Sequence, residues 1–236
     1  MKIFLINLDK NPGRLARCDV QLKRLGVEYE RFPGIYGREL SPAEKGRSVN
    51  RFLWWCHAGR RVTDGEIGCA LSHLAIYRKT IADGLQCVCV LEDDVILDGM
   101  FMGQLDRVEK WIDPGKPQVV LLANHTKRDG VPGEFREELE GSFAEGYVIT
   151  RAGAEAILKR NFPLRVAADS WAWFRVHCGV QLYHAFPSVC TQDWSDGSVT
   201  DVFVGGGRPG RCRGGICEIG YIVGRALGMA IDWLVR

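Results

Sequence analysis

Gln86-Cys87-Val88-Cys89-Val90-Leu91-Glu92-Asp93-Asp94 decides the fold, because an unbroken apolar run stops abruptly at three carboxylates. A continuous apolar strand of this kind is buried on both faces of a parallel sheet. Upstream, Thr63-Asp64-Gly65-Glu66 is a capping box, with Thr63 as N-cap and Glu66 three residues on. It opens a helix to about residue 82, with Ile67, Leu71, Leu74, Ala75 and Ile81 facing inward and Asp83-Gly84 as the stop. Downstream, the spacing predicts a helix over 99–112, a strand over 118–123 and a strand over 142–150. A helix over 152–161, a short aromatic helix over 169–177 and a last strand over 180–186 follow. The chain opens with a strand over 2–8. A helix over 14–26 follows, built on Leu15, Cys18, Leu22 and Leu25, and then a strand over 29–32 ended by Pro33-Gly34. Residues 37–61 read as an irregular basic surface loop carrying Trp54-Trp55, with a short helix over 42–53. Strands alternating with helices give an α/β layered fold.

Composition supports a globular chain. Of 236 residues, 46% are hydrophobic, 25% charged and 10% aromatic, close to soluble averages. There is no apolar run long enough for a spanning helix. Asp9 interrupts the first apolar stretch too early for a signal peptide, so the chain is expected in the cytoplasm. Thirty-one basic against 29 acidic residues leave a net charge of +2, which argues against a nucleic-acid partner. The nine cysteines are odd in number and lack paired zinc-finger spacing, so they read as reduced core thiols.

Glu92, Asp93 and Asp94 end the most buried strand, and ligands of open α/β sheets bind at that edge. Two carboxylates about 5 Å apart repel by roughly 3 kcal/mol at an effective dielectric near 20, so the cluster calls for a cation. Mg²⁺ and Mn²⁺ prefer carboxylate oxygen. Alternation along the strand turns Glu92 and Asp94 one way and Asp93 the other. An acidic surface turn is the competing interpretation.

Glu66-Ile67-Gly68-Cys69-x-x-Ser72-His73, followed by Leu91-Glu92-Asp93-Asp94-Val95, resembles glycosyltransferase family 25, the lipopolysaccharide- and collagen-type galactosyltransferases. Ile6-Asn7-Leu8 with Arg14, Tyr147-Val148-Ile149-x-Arg151-x-Gly153-Ala154 and Ala168-Asp169-x-Trp171 extend the likeness across about residues 1–200. The resemblance implies a GT-A-like fold and inverting hexose transfer, most simply of galactose, from a UDP-sugar donor. The acceptor would be a glycan or glycolipid, such as a lipopolysaccharide-type oligosaccharide. Glu92-x-Asp94 would stand where such enzymes hold Mn²⁺ or Mg²⁺, with Asp94 in direct contact and Glu92 second or through water. Asp93 is then a candidate for the donor ribose or sugar.

Inversion needs a base opposite the leaving group. Asp169, beside Trp171 and Trp173 as sugar-packing rings, is the candidate, with helix capping as its alternative role. Asp196 is the rival base or a further metal ligand. His73 either contacts the donor diphosphate or orders Glu92, and Ser72 precedes it on the same helix. Asn7 and Leu8 would receive the uridine, Arg14 would reach a phosphate, and Glu66 and Gln192 complete the donor-site candidates. Acceptor choice is assigned to the Trp54-Trp55 stretch. Two rival functions stand beside this one: another metal-dependent phosphate-handling enzyme, and a catalytically inactive UDP- or glycan-binding relative.

Residues 1–204 are thus expected to form the transferase domain, and 205–236 a Gly/Arg linker and amphipathic helix. From Gly205 on, five Arg oppose Glu218 and Asp232. Ile219, Ile222, Val223, Ala226, Leu227, Ala230, Ile231 and Leu234 share one helical face, and Gly220, Gly224 and Gly228 make a small-residue stripe. Three roles fit: packing on the domain, lying on the inner face of the cytoplasmic membrane, or pairing two copies into a homodimer.

Overall fold

The computed structural model describes residues 1–123, 130–141 and 143–193. Asp196 and the 205–236 tail lie outside them. Among the described residues the chain is α/β, with seven helices and a seven-stranded mixed sheet in the order β2-β1-β3-β7-β5-β8-β6. These strands are β1 (Lys2–Asn7), β2 (Glu30–Pro33), β3 (Cys87–Glu92), β5 (Gln118–Leu121), β6 (Phe135–Glu137), β7 (Gly146–Thr150) and β8 (Gln181–Ala185). β1 runs parallel to β2 and β3, β5 runs parallel to β8, and β7 and β6 run against their neighbours. Most strands therefore point one way. A second sheet pairs β4 (Val95–Leu97) with β9 (Cys190–Gln192).

Alternation along the strands feeds two apolar layers. Phe4, Val88, Val90, Val119 and Ile149 face one cluster, which the helices α4 (Asp64–Ala82), α6 (Arg151–Arg160) and α7 (Trp171–Cys178) complete. Ile3, Leu5, Cys89, Leu91 and Val148 face the other, completed by α1 (Pro12–Arg24) and α5 (Phe101–Trp111). α4 carries buried residues all the way round, among them Ile67, Ala70, Leu71, Leu74, Ile76 and Tyr77. That explains its weak amphipathic signature: it is sandwiched rather than laid on a surface.

Several expectations need correction. Residues 42–58 are two helices, α2 (Pro42–Ser48) and α3 (Arg51–Ala58), with Asn50 capping the second through the Leu53 N–H. Trp54 is 2% exposed and belongs to the core, whereas Trp55 is 45% exposed. On a helix adjacent residues are rotated by about 100°, so Trp54 can turn inward while Trp55 turns toward solvent. β4, β6 and β9 were absent from the sequence reading, because three-residue strands carry too little periodicity to register. All seven described cysteines are free. No described helix is long and apolar enough to cross a membrane.

β2 and β3 flank β1, so the strand order reverses there and a crevice opens at the carboxyl ends of β1 and β3. Open α/β sheets bind ligands at such a switch point. The β1/β3 register sets Ile6 opposite Glu92, placing Asn7 beside the acidic turn.

Candidate active site

The crevice widens into a cleft of about 540 Å³. Its floor is Asn7, Leu8, Arg14 and the carboxylates Glu92, Asp93 and Asp94. Glu66, Cys69, Ser72 and His73 of α4 form one wall, and Glu145, Arg165 and Asp169 stand among the residues of the other.

β3 ends at Glu92 and the chain turns through Asp93-Asp94. Strand alternation therefore stops at Glu92, and all three carboxylates line the one cleft, which corrects the opposed orientation expected for Asp93. Asp93 is enclosed. Arg14 Nη1 donates to its Oδ1 at 2.6 Å, and Asn7 Nδ2 to its Oδ2 at 2.6 Å. Arg14 Nη2 also reaches Asp94 Oδ2 at 3.3 Å. Arg14 and Asn7 thus hold the acidic turn together, and Asn7 accepts in turn from Arg31 Nε at 3.1 Å.

Gln192 comes to the same turn through the β4/β9 ladder, which sets it opposite Val95. Its Nε2 donates to Asp94 Oδ2 at 2.9 Å. Asp94 Oδ1 is buried with no hydrogen-bond partner among the described residues. Burial first, then the charge of Glu92, lifts the Asp94 carboxyl to about 7. An orphaned carboxylate oxygen beside a second carboxylate is what a hard cation would satisfy.

On α4, Glu66 is committed to structure. Its Oε2 accepts from the Thr63 N–H at 2.9 Å, completing the capping box, and Arg60 forks onto both of its oxygens. Ser72 is a clamp: its Oγ donates to the Gly68 carbonyl at 2.7 Å and accepts from the Ile35 N–H at 2.8 Å. Gly68 makes that approach possible, since a Cβ there would sit 2.3 Å from the Ile35 oxygen and 2.6 Å from Gly37 N. The strand-following loop with Tyr36 and Arg38 is thereby pinned as a rim of the cleft.

His73 is 1% exposed. Its Nε2 lies 2.9 Å from Glu92 Oε1, and its Nδ1 lies 2.7 Å from the Tyr147 hydroxyl. Tyr147 continues to Tyr77 Oη at 2.8 Å. A neutral His73 donating Nε2–H to Glu92 satisfies every member: Tyr77 O–H donates to Tyr147, and Tyr147 O–H to Nδ1. The ring contacts Glu92 directly.

Asp169 lines the same cleft. Burial raises its carboxyl above the usual range, and the charge of Glu92 adds to this. Backbone N–H groups of Asp169 and Phe143 bond it and act against the rise. Phe143 sits at φ 67°, a left-handed conformation that costs a bulky side chain energy. Its carbonyl takes the Trp171 Nε1–H at 2.7 Å. The N-cap of α7 is Ser170, so the Asp169 side chain is not spent on capping. The expected sugar-packing role of Trp171 is corrected: it is fully buried against Tyr147, ring centroids 4.9 Å apart. Trp173 stacks on His177 at 4.8 Å and is absent from the cleft lining.

Tyr77, Arg60, Glu145 and Arg165 escaped the sequence reading, and Tyr147 entered it as part of a family motif without a role. Only Tyr77 left a signal, since Cys69, His73 and Tyr77 repeat at four-residue spacing on α4.

A model of "Glycosyltransferase family 25 (LPS biosynthesis protein)" matches residues 1–131. A "Glycosyltransferase 25 family member" of Drosophila pseudoobscura pseudoobscura is 35% identical over 109 residues, 45% of this chain and 17% of that protein. Another, from Anopheles gambiae, is 34% identical over 186 residues, 67% of this chain and 28% of its own length. "Inactive glycosyltransferase 25 family member 3" of Homo sapiens is 31% identical over 175 residues, 70% of this chain and 29% of that protein. In each case the match spans less than a third of the relative's length.

Proposed function

We propose, on the premise that the chain belongs to glycosyltransferase family 25, that it transfers a hexose from a UDP-sugar, in the first instance UDP-galactose, to a hydroxyl of a glycan or glycolipid. The observation that carries this reading is one cleft lined by Glu92, Asp94 and Asp169 at the switch point of the sheet. The strand order and the acidic turn after β3 support a GT-A-like arrangement of the donor site.

Glu92 and Asp94 would hold a divalent cation, Mn²⁺ or Mg²⁺. The buried Asp94 Oδ1 and the two carboxylates lining one cleft suit such a cation. Bound there, it would stabilise charge on the departing diphosphate. Arg14 and Asn7 fix the turn that carries the pair, and His73 fixes Glu92. Asn7 is internal, so the uridine would meet Leu8 and the Tyr36 rim instead. Asp169 takes the acceptor hydroxyl proton as the acceptor oxygen bonds the anomeric carbon and the carbon–phosphate-oxygen bond breaks. Its burial makes it a stronger base than an exposed carboxylate.

A UDP-sugar panel with and without Mn²⁺ tests this reading. Metal-dependent UDP release from one donor, abolished by Asp94→Ala, is expected. A non-transferring relative is the second reading, favoured by the Arg14 contacts that partly neutralise the acidic turn and by the name of the human relative. Donor binding without release under any metal would select it.

A further inference from the structure

We propose that Cys69, His73 and Glu92 form a binding site for a thiophilic divalent cation, Zn²⁺ in the first instance, at the α4 wall of the cleft. Cys69 and His73 stand four residues apart on α4, a spacing that puts two ligands on one helical face. Glu92 is the last residue of β3. Its Oε1 lies 2.9 Å from His73 Nε2 and 3.8 Å from Cys69 Sγ, and one ligand atom from each residue lies within 4.8 Å of the others. Tetrahedral Zn²⁺ with bonds of about 2.0–2.3 Å wants its ligand atoms roughly 3.3–3.6 Å apart. The three atoms meet that with shifts of about an ångström.

Donor chemistry separates this site from the carboxylate pair. One sulfur, one imidazole nitrogen and one carboxylate oxygen suit Zn²⁺, whereas Mn²⁺ and Mg²⁺ favour oxygen alone. His73 has the outer support that metal-bound histidines carry, Tyr147 Oη on Nδ1 backed by Tyr77 Oη. Binding releases the Cys69 thiol proton to solvent. The ring proton moves from Nε2 to Nδ1 and is donated to Tyr147, whose own hydroxyl hydrogen turns from Nδ1 toward Tyr77 Oη. All three residues line the cleft. The binding stands apart from the transferase reading. One consequence rests on that reading: Zn²⁺ and the catalytic cation compete for Glu92, so Zn²⁺ inhibits transfer.

The full chain, stripped with EDTA, is titrated with Co²⁺ as the spectroscopic stand-in for Zn²⁺. One Co²⁺ per chain with a thiolate-to-metal absorption band, bleached by Zn²⁺, is expected. Cys69→Ser should abolish the band and weaken Zn²⁺ binding by at least about 100-fold, the upper end of what losing an outer-shell partner costs. Cys212→Ser/Cys217→Ser should keep the band. X-ray absorption at the zinc edge of the wild-type chain needs no variant and should find one sulfur among nitrogen and oxygen ligands. A band that survives Cys69→Ser, or a zinc shell without sulfur, overturns the site. Because no sugar donor is present, neither result depends on whether the chain transfers sugar.

Discussion

Arg14, on the first turn of α1, bonds Asp93 at 2.6 Å and Asp94 at 3.3 Å across 79 and 80 residues of chain. The guanidinium side chain is 16% exposed and the Asp93 side chain 8%. It is therefore an internal counter-charge for the acidic turn, and its loss leaves buried carboxylates unpaired. Removing one partner of such a pair costs about 3 kcal/mol. Arg14→Ala should lose about that much in metal-free urea unfolding and recover part of it in Mn²⁺. Arg14→Lys keeps the charge but not the fork, and should lose less. Equal stability of Arg14→Ala and wild type would refute the pairing.

Asp94 makes the metal-free protein pH-sensitive. Its carboxyl is lifted to about 7 in the folded chain, against about 3.9 unfolded. Between those values the folded state holds the extra proton, so stability falls as pH rises through the window. Above about pH 7 the full cost is present, at most ~4 kcal/mol. Asp94→Asn removes it. In EDTA at pH 8 the variant should melt several degrees above wild type, and at pH 4 the two should coincide. Mn²⁺ should raise the wild-type Tm and leave that of the variant unchanged. A variant that melts below wild type at pH 8 would count against this.

Gly68→Ala tests the rim. The added Cβ meets backbone at 2.3 Å, so the loop holding Tyr36 and Arg38 must move away from α4. Overpacking of this kind costs about 1–3 kcal/mol. Calorimetry should register that loss, and UDP affinity should fall with it. An unchanged melting curve would mean that Gly68 is not what brings the loop close.

Trp54 and Trp55 separate cleanly by burial. Trp54→Ala should cost about 3–5 kcal/mol, and Trp55→Ala no more than about 0.5 kcal/mol, by urea midpoints. Any effect of Trp55→Ala on acceptor use would then be free of a folding defect.

Much of this was legible in the sequence. The apolar run 87–91 ending at Glu92 marked a buried inner strand and the carboxylates at its end. The Thr63/Glu66 box marked the start of α4 to the residue, because both rest on local rules. Long-range pairings were not legible. Nothing in the spacing of Arg14 and Asp93 says that they meet. The turn after Glu92 cancelled the alternation expected for Asp93. Trp171 looked like a sugar platform until its indole was found bonded to the Phe143 carbonyl inside the core. Asn50 carried a capping signal for α3 that went unused, so the Trp54 side chain was assigned to solvent.

Asp169 carries the central claim, and Asp169→Asn tests it most directly. With UDP-galactose, Mn²⁺ and an acceptor glycan, the variant should bind UDP as wild type does. Its turnover should fall by at least about 10²-fold, the lower range for losing a general base. Wild-type turnover should decline as pH drops through the raised Asp169 value, because only the ionised carboxylate accepts the proton. A variant that turns over like wild type, or that loses UDP binding together with turnover, would contradict the assignment.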